Sequence, residues 1–169
     1  ARAGDRPLTQ WSRRWPGTYR RGMTDPASLV AERVDKLLAE LDPATADDVE
    51  FRGRQFDLGL AWVHFPEGSG GLGLPPVLQK NVDRRVHAAG AAYPGTRHFF
   101  GLAMAGPTIV TNGDEAIRQR LLRRTFTGED DWCQPVSERG AGSDLAGLAT
   151  KAVRAGDEWF VSVQRVGDM

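Results

Sequence analysis

The period of the apolar residues changes at Asp131, and that change bounds what the chain can fold into. Before it, apolar residues recur at helical spacing. After it, short runs rich in β-branched and aromatic side chains take over. Asp25 followed by Pro26 reads as an N-cap with proline at the first helical position. Val30, Val34, Leu37, Leu38 and Leu41 then mark one face of a helix closed by Asp42-Pro43. Thr45-Ala-Asp-Asp48 reads as an approximate capping box for a second helix, whose apolar face continues through Val49, Phe56, Leu60 and Val63. The run LGLAWVHF (58–65) is then that helix's end plus extended residues before Pro66. A third helix takes Val77, Leu78, Val82, Val86 and Ala89 inside and leaves Gln79, Lys80, Asp83, Arg84 and Arg85 outside. A fourth begins near Thr96, carries Phe99, Phe100, Leu102 and Met104, breaks at Gly106-Pro107 and resumes through Thr108, Ile109 and Val110. A fifth, capped by Asp114, packs Ile117, Leu121 and Leu122 and ends towards Thr127-Gly128.

Beyond Asp131, WCQPVSE (132–138), LATKAV (148–153) and EWFVSVQR (158–165) read as strands, with Arg154-Ala-Gly-Asp157 as a turn. Helices first and strands second make an α+β chain: an N-terminal all-α helical bundle followed by the first strands of an incomplete β-barrel domain. The expected division is a basic, disordered lead-in at 1–23, the helical domain at 24–129 and the β segment at 130–169. Three strands bury little and leave open edges, so they call for further strands.

Composition narrows the function classes. The 169 residues are 40% hydrophobic and 26% charged, as in a globular protein, and the net charge is zero. No overall field therefore attracts nucleic acid or an anionic membrane. Residues 1–22 carry six arginines against Asp5, with Trp11, Trp15 and Tyr19 among them. That stretch shows no helical or strand period, which favours an unstructured lead-in over a binding arm. No apolar stretch follows the paired arginines, so an export signal is not expected, and Met23 is a plausible start. Cys133 stands alone, and His64, His87 and His98 share no ligand spacing, so neither an internal disulfide nor a metal site is expected. No apolar run approaches the ~20 residues that span a bilayer. The expected location is the cytoplasm of a bacterium.

Two glycine loops invite a phosphate. In PEGSGGLG (66–73), Gly68, Gly70 and Gly73 fit G-x-G-x-x-G. Pro75 and Pro76, however, sit where free N–H groups are needed, and no acid follows at the expected distance. This loop reads as a turn between helices. In SERGAGSDLAG (137–147), Gly140 and Gly142 permit positive φ, so successive N–H groups can line an anion-binding hollow. Ser143 adds a hydroxyl, and Asp144 can fix the loop through its own backbone bonds. An anion site and a plain hairpin turn both remain open on these residues alone.

The segment WCQPVSERGAGSDLAGLATKAVRAGDEW (132–159) resembles the stretch joining the helical and β domains of acyl-CoA dehydrogenases. That family shows WCQGFSEPGAGSDLAGL, then a GDEW hairpin and NGQK-V-W-T-S. The resemblance extends through GLAMAGPTIVTNGDEAIRQRLLRR (101–124) and LGLAWVHFPEGSGGLGL, covering about 24–166. It implies FAD-dependent α,β-dehydrogenation of acyl-CoA thioesters, as in fatty acid β-oxidation. In that reaction a carboxylate removes the α-proton, hydride passes to flavin N5, and electrons go on to an electron-transferring flavoprotein. The match implies that Gln134, Val136 and Ser137 face the isoalloxazine. Ser137 would hydrogen-bond near flavin N5/O4, and Gly142 and Ser143 would approach the FAD pyrophosphate and the thioester chain. Phe99, Phe100 and Met104 would line the acyl tunnel, although at helical spacing core packing is the commoner role.

The sequence departs from the family at four places. Arg139 stands for proline and Pro135 for a frequent glycine. Ser162-Val163 stands where Asn-Gly suits a tight hairpin. Gly167-Asp168-Met169 stands where Trp-Thr-Ser meets the flavin. The family's catalytic glutamate, part of a neighbouring subunit's FAD site and the oligomer core lie in a C-terminal bundle beyond Met169, so no catalytic base is named. The alternative is a non-catalytic truncated subunit that partners a full-length dehydrogenase. A homo- or hetero-oligomer is expected in either case.

Overall fold

The computed structural model describes residues 25–92, 98–138, 140, 145–162 and 165–168. The lead-in, Met23 and the proposed helix start at Thr96 lie outside them. Helix α1 (Pro26–Glu40) starts where the Asp25 carboxylate accepts the Ser28 N–H at 3.1 Å, and it buries Val30, Val34 and Leu37. Helix α2 (Asp48–Asp57) is capped by Asp47 rather than by Thr45. Asp47 Oδ1 accepts the N–H groups of Val49 and Glu50 at 3.0 and 3.1 Å. Thr45 is taken up in a separate turn, in which Asp42 Oδ1 accepts the Ala44 N–H and the Thr45 hydroxyl points at the Asp42 carbonyl. The shifted cap changes the buried face. Phe51 is inside, Val49 is 38% exposed, and Leu60 and Val63 are buried from a loop beyond the helix's end.

That loop is held by backbone bonds. The N–H groups of Ala61 and Trp62 both reach the Gly70 carbonyl, those of Leu72 and Leu74 reach Val63, and that of Gly73 reaches Phe65. Gly68, Gly70 and Gly73 take φ of +80°, +81° and +63°, which side chains resist. PEGSGGLG is therefore a connector folded onto 61–65, and the amides of Leu72, Gly73 and Leu74 are used within it.

A single 3₁₀ turn (Pro76–Leu78) leads into α3 (Gln79–Ala88), which buries Val82 and Val86 and leaves Val77 exposed. Gln79 points inward, contrary to its amphipathic position. Its Oε1 accepts the Val63 N–H at 2.8 Å, and its Nε2 donates to the Leu60 carbonyl at 3.2 Å. Loop 60–63 lacks a strand partner for those groups, and burial without one costs about 1–3 kcal/mol per group.

The fourth helix does not break at Gly106-Pro107. Residues Gly101–Ala105 form a π-helical turn that runs directly into α4 (Gly106–Asn112). The Gly106 N–H bonds five residues back to the Gly101 carbonyl, and Pro107 has no N–H to give. The Leu102 carbonyl is thereby left over, and Trp62 Nε1 donates to it at 3.2 Å. Gly106 makes room for this, since a Cβ there would stand 2.8 Å from the Trp62 ring. Helix α5 (Glu115–Thr127) begins at Asp114, whose carboxylate accepts the Ile117 N–H at 2.8 Å, and ends at Gly128 in the left-handed region. Ile117 is at the surface, while Leu122 and Phe126 are buried.

Two apolar clusters result. One joins α1, α2 and α3 through Val34, Leu37, Phe51 and Val82. The other joins α4 and α5 to the loop through Trp62, Phe65, Ile109, Leu122 and Phe126. Arg54 clasps Glu40 with two hydrogen bonds, at 2.5 and 3.0 Å, tying α2 to the end of α1. Arg123 reaches Asp57 at 3.1 Å and ties α5 to α2.

The β segment has four described strands, not three: β1 (Gln134–Glu138), β2 (Lys151–Ala155), β3 (Glu158–Ser162) and β4 (Arg165–Asp168). β2 begins later than LATKAV suggests because Leu145–Gly147 forms a 3₁₀ turn. β2 and β3 make an antiparallel hairpin through Gly156-Asp157, with positive φ on the glycine. β4 pairs with β1, antiparallel, instead of extending β3. The β1–β4 register slips between Gln134 and Ser137, the stretch that contains Pro135 and so lacks one ladder donor. Helices followed by open strand pairs make the chain α+β. Among the described residues, no helix is long and apolar enough to cross a membrane.

Candidate functional site

The segment joining the helices to β1 is anchored at both ends. At the start, Arg124 grips Asp130 through Nε and Nη2 at 2.6–3.0 Å. These hydrogen bonds hold the Asp130 carboxyl below its ordinary pKa. Next, Trp132 Nε1 donates to the hydroxyl of buried Thr125 at 3.1 Å. The indole lies against Gly101, where a Cβ would stand 3.2 Å from it. β1 thus leaves the helices beside the π-helical turn.

Between them lies a cleft of about 220 Å³ lined by Phe100, Met104, Ile109, Trp132, Cys133 and Gln134. Phe99 and Phe100 meet edge to face at 5.7 Å. Phe99 is 57% exposed and Met104 41%, so neither serves as core. The π turn accounts for this placement. It widens the turn, so Gly101 faces inward and Leu102 packs against the core while Met104 faces out.

Gln134 opens β1 at this cleft, opposite Asp168 of β4 in the strand register. Val136 and Ser137 lie on β1, with Ser137 in register with Val166. Gly142 and Ser143 fall outside the described residues, as do Arg139 and Asp144. The structure brings Gln134 and Met104 to one cleft; Phe99 adjoins it through Phe100.

Sequence reasoning missed the role of Glu138. Its Oε2 accepts the Ala149 N–H at 2.7 Å, and its Oε1 accepts the Thr150 N–H at 2.9 Å as well as the Thr150 hydroxyl. One carboxylate at the end of β1 thereby closes the loop that SERGAGSD opens, joining residues eleven and twelve positions apart. No local spacing announces such a long-range contact. Trp62 was likewise silent in the sequence, since it acts on a carbonyl distant along the chain, and Thr125 meets an indole that lies beyond the end of its own helix.

Elsewhere, burial pushes the His64 pKa down, and its Nδ1 has no partner among the described residues. It packs against Phe65 at 4.8 Å, away from the residues of the cleft.

The family profile described as "Acyl-CoA dehydrogenase, N-terminal domain" matches residues 24–129. Acyl-CoA dehydrogenase FadE34 of Mycobacterium tuberculosis is 35% identical over 150 residues, which is 89% of this chain and 20% of that protein. Acyl-CoA dehydrogenase FadE29 of the same organism is 34% identical, over 80% of this chain and 33% of its own length. The solved structure of Tcur3481-Tcur3483 steroid ACAD superposes with a TM-score of 0.50 at 25% identity, covering 85% of this chain and 40% of that one. The chain thus spans only a fifth to a third of the curated relatives FadE34 and FadE29. With the profile covering all five helices, the chain belongs to the acyl-CoA dehydrogenase family.

Proposed function

We propose that this chain forms part of an FAD-dependent acyl-CoA dehydrogenase, with residues 24–129 as the helical domain and 130–169 as the opening of the β domain. The observation that carries the reading is the Glu138 clamp, which closes the SERGAGSD loop directly after the strand that leaves the cleft. The donors and walls here fit a flavin edge and a thioester chain. Gln134 lines the cleft where β1 begins, with Val136 and Ser137 further along that strand, and Phe100 and Met104, with Phe99 adjoining, supply apolar surface. Ser137, Gly142 and Ser143 would hold the cofactor, and Ser143 would also meet the substrate. FAD supplies the two-electron acceptor for α,β-dehydrogenation of the acyl-CoA, with an electron-transferring flavoprotein downstream. No carboxylate of residues 1–169 is assigned as the base, which we place outside the span shared with the longer relatives. A role in lipid or steroid metabolism draws on the steroid ACAD name of Tcur3481-Tcur3483, and a bacterial cytoplasmic location is part of the same proposal.

A second reading rests on a different observation. Val153, Trp159, Phe160 and Val161 are all more than half exposed on the β2–β3 hairpin. Such a surface suits a subunit that pairs with a fuller dehydrogenase, and Tcur3481-Tcur3483 carries two names in one assembly.

Co-expression with a full-length dehydrogenase subunit tests both. Flavin and acyl-CoA oxidation should accompany the complex, and Glu138→Gln should lower flavin occupancy about tenfold, since hydrogen bonds to a charged group contribute about 1.5–3 kcal/mol. A complex that forms with flavin occupancy indifferent to Glu138→Gln leaves only the partner reading. A colourless, inactive preparation with no complex sinks both.

A further inference from the structure

A second cavity, of about 330 Å³, opens between α2, α3 and the π-helical turn. It shares no lining residue with the cleft at Phe100 and Met104. Its walls are apolar where Phe51, Trp62, Val86, Leu102 and Phe126 meet. Arg52 also lines it, from the middle of α2, at only 9% exposure. Gln55, equally buried, uses its N–H on the Leu60 carbonyl at 3.2 Å, and Gln79 is engaged with the backbone of loop 60–63 and with Asp83. Arg52 forms neither a hydrogen bond nor an ion pair with any described residue. Burial lowers its pKa, and the charge of Asp48 offsets this in part.

The guanidinium keeps contact with water inside the cavity, has Asp48 as a nearby charge and no hydrogen-bonding partner among the described residues, and arginine is protonated at any working pH. Its planar fork matches a carboxylate with two parallel hydrogen bonds. The charged groups facing it at the mouth are Asp48 and Asp83, with His87 beside them, all exposed. Two carboxylates there disfavour a dianion such as a phosphate, and the apolar walls reject a fully polar ligand. The volume lies at the lower end of the range for small-molecule sites.

We infer that this cavity binds a small amphiphilic monocarboxylate, its ring or short chain against Phe51, Trp62 and Phe126 and its carboxylate on Arg52. The site needs neither flavin nor thioester, so it stands or falls separately from the dehydrogenase reading.

Calorimetric titration of the full chain with 4-phenylbutyrate and with its neutral amide tests this. The acid should bind at least tenfold more tightly than the amide. Arg52→Met should lose that preference, and Arg52→Lys should keep part of it, because a point charge replaces the fork. Thermal unfolding of each variant checks folding; should Arg52→Met fail to fold, the Arg52→Lys comparison alone decides. Equal binding of acid and amide, an affinity unchanged in the folded variants, or no binding up to the solubility limit overturns the assignment.

Discussion

In α1, Val30, Val34 and Leu37 are sealed from water, whereas every residue of β2 and β3 is exposed. The helices carry their own shielding: two apolar clusters, three carboxylate N-caps and inter-helix arginine clasps. Strands β2 and β3 have a complete cross-strand register but little beneath them, and the loop between β1 and β2 is tied by the Glu138 carboxylate. Backbone hydrogen bonds fix geometry, yet each contributes only about 1 kcal/mol net, while burying a Val or Leu contributes about 1.5–3 kcal/mol. The helical part can therefore stand largely on its own packing, and the β part depends on whatever covers it.

The largest test of that contrast is truncation of one side chain in each region. Leu37→Ala or Leu122→Ala, both at fully buried positions, should cost about 3 kcal/mol in a urea melt. Phe160→Ala, on the exposed hairpin, should stay within about 0.5 kcal/mol in the isolated chain. Similar losses from both would erase the distinction. A smaller effect is expected within the helical region, where loop 60–63 meets the π-helical turn. Trp62→Phe keeps most of the ring contacts but strands the Leu102 carbonyl, for an expected loss of about 1–2 kcal/mol. A Pro107→Ala background, which restores an N–H near that carbonyl, should shrink the penalty; an undiminished penalty would show that the hydrogen bond is not its source. The smallest effect is electrostatic. Hydrogen bonds from Arg54 lower the Glu40 pKa, and those from Arg124 lower that of Asp130. Each pair adds stability above the unfolded carboxylate pKa and loses it as pH falls through the lower folded value. Glu40→Gln and Asp130→Asn should flatten the acid limb of stability against pH, most visibly at low salt. Curves parallel to the parent would mean that these exposed pairs contribute nothing.

Local signals were read most faithfully. Asp25-Pro26 and Asp114 cap the helices they were expected to cap, and Val82, Val86 and Leu122 are buried as their spacing required. Errors arose where a residue answered to something distant. Gln79 sits at a position that a helical wheel marks as solvent, but the unpaired backbone of loop 60–63 draws it inward. Leu60 and Val63 were assigned to a helix face because their spacing fits one, yet α2 has already ended at Asp57. Of the candidate site, the strand at Gln134–Glu138 was legible, whereas the clamp by Glu138 and the outward placement of Phe99 and Met104 were not.

The order of elements, the helix caps and the change from helical to strand period at Asp131 follow from the sequence alone, because they depend on neighbours within a turn or two. The pairing of β4 with β1, the indole that satisfies Leu102, the carboxylate that closes the glycine loop and the cavity around Arg52 were decided only in three dimensions. Buried polar groups must find partners wherever the fold brings them, and spacing along the chain carries no record of that search.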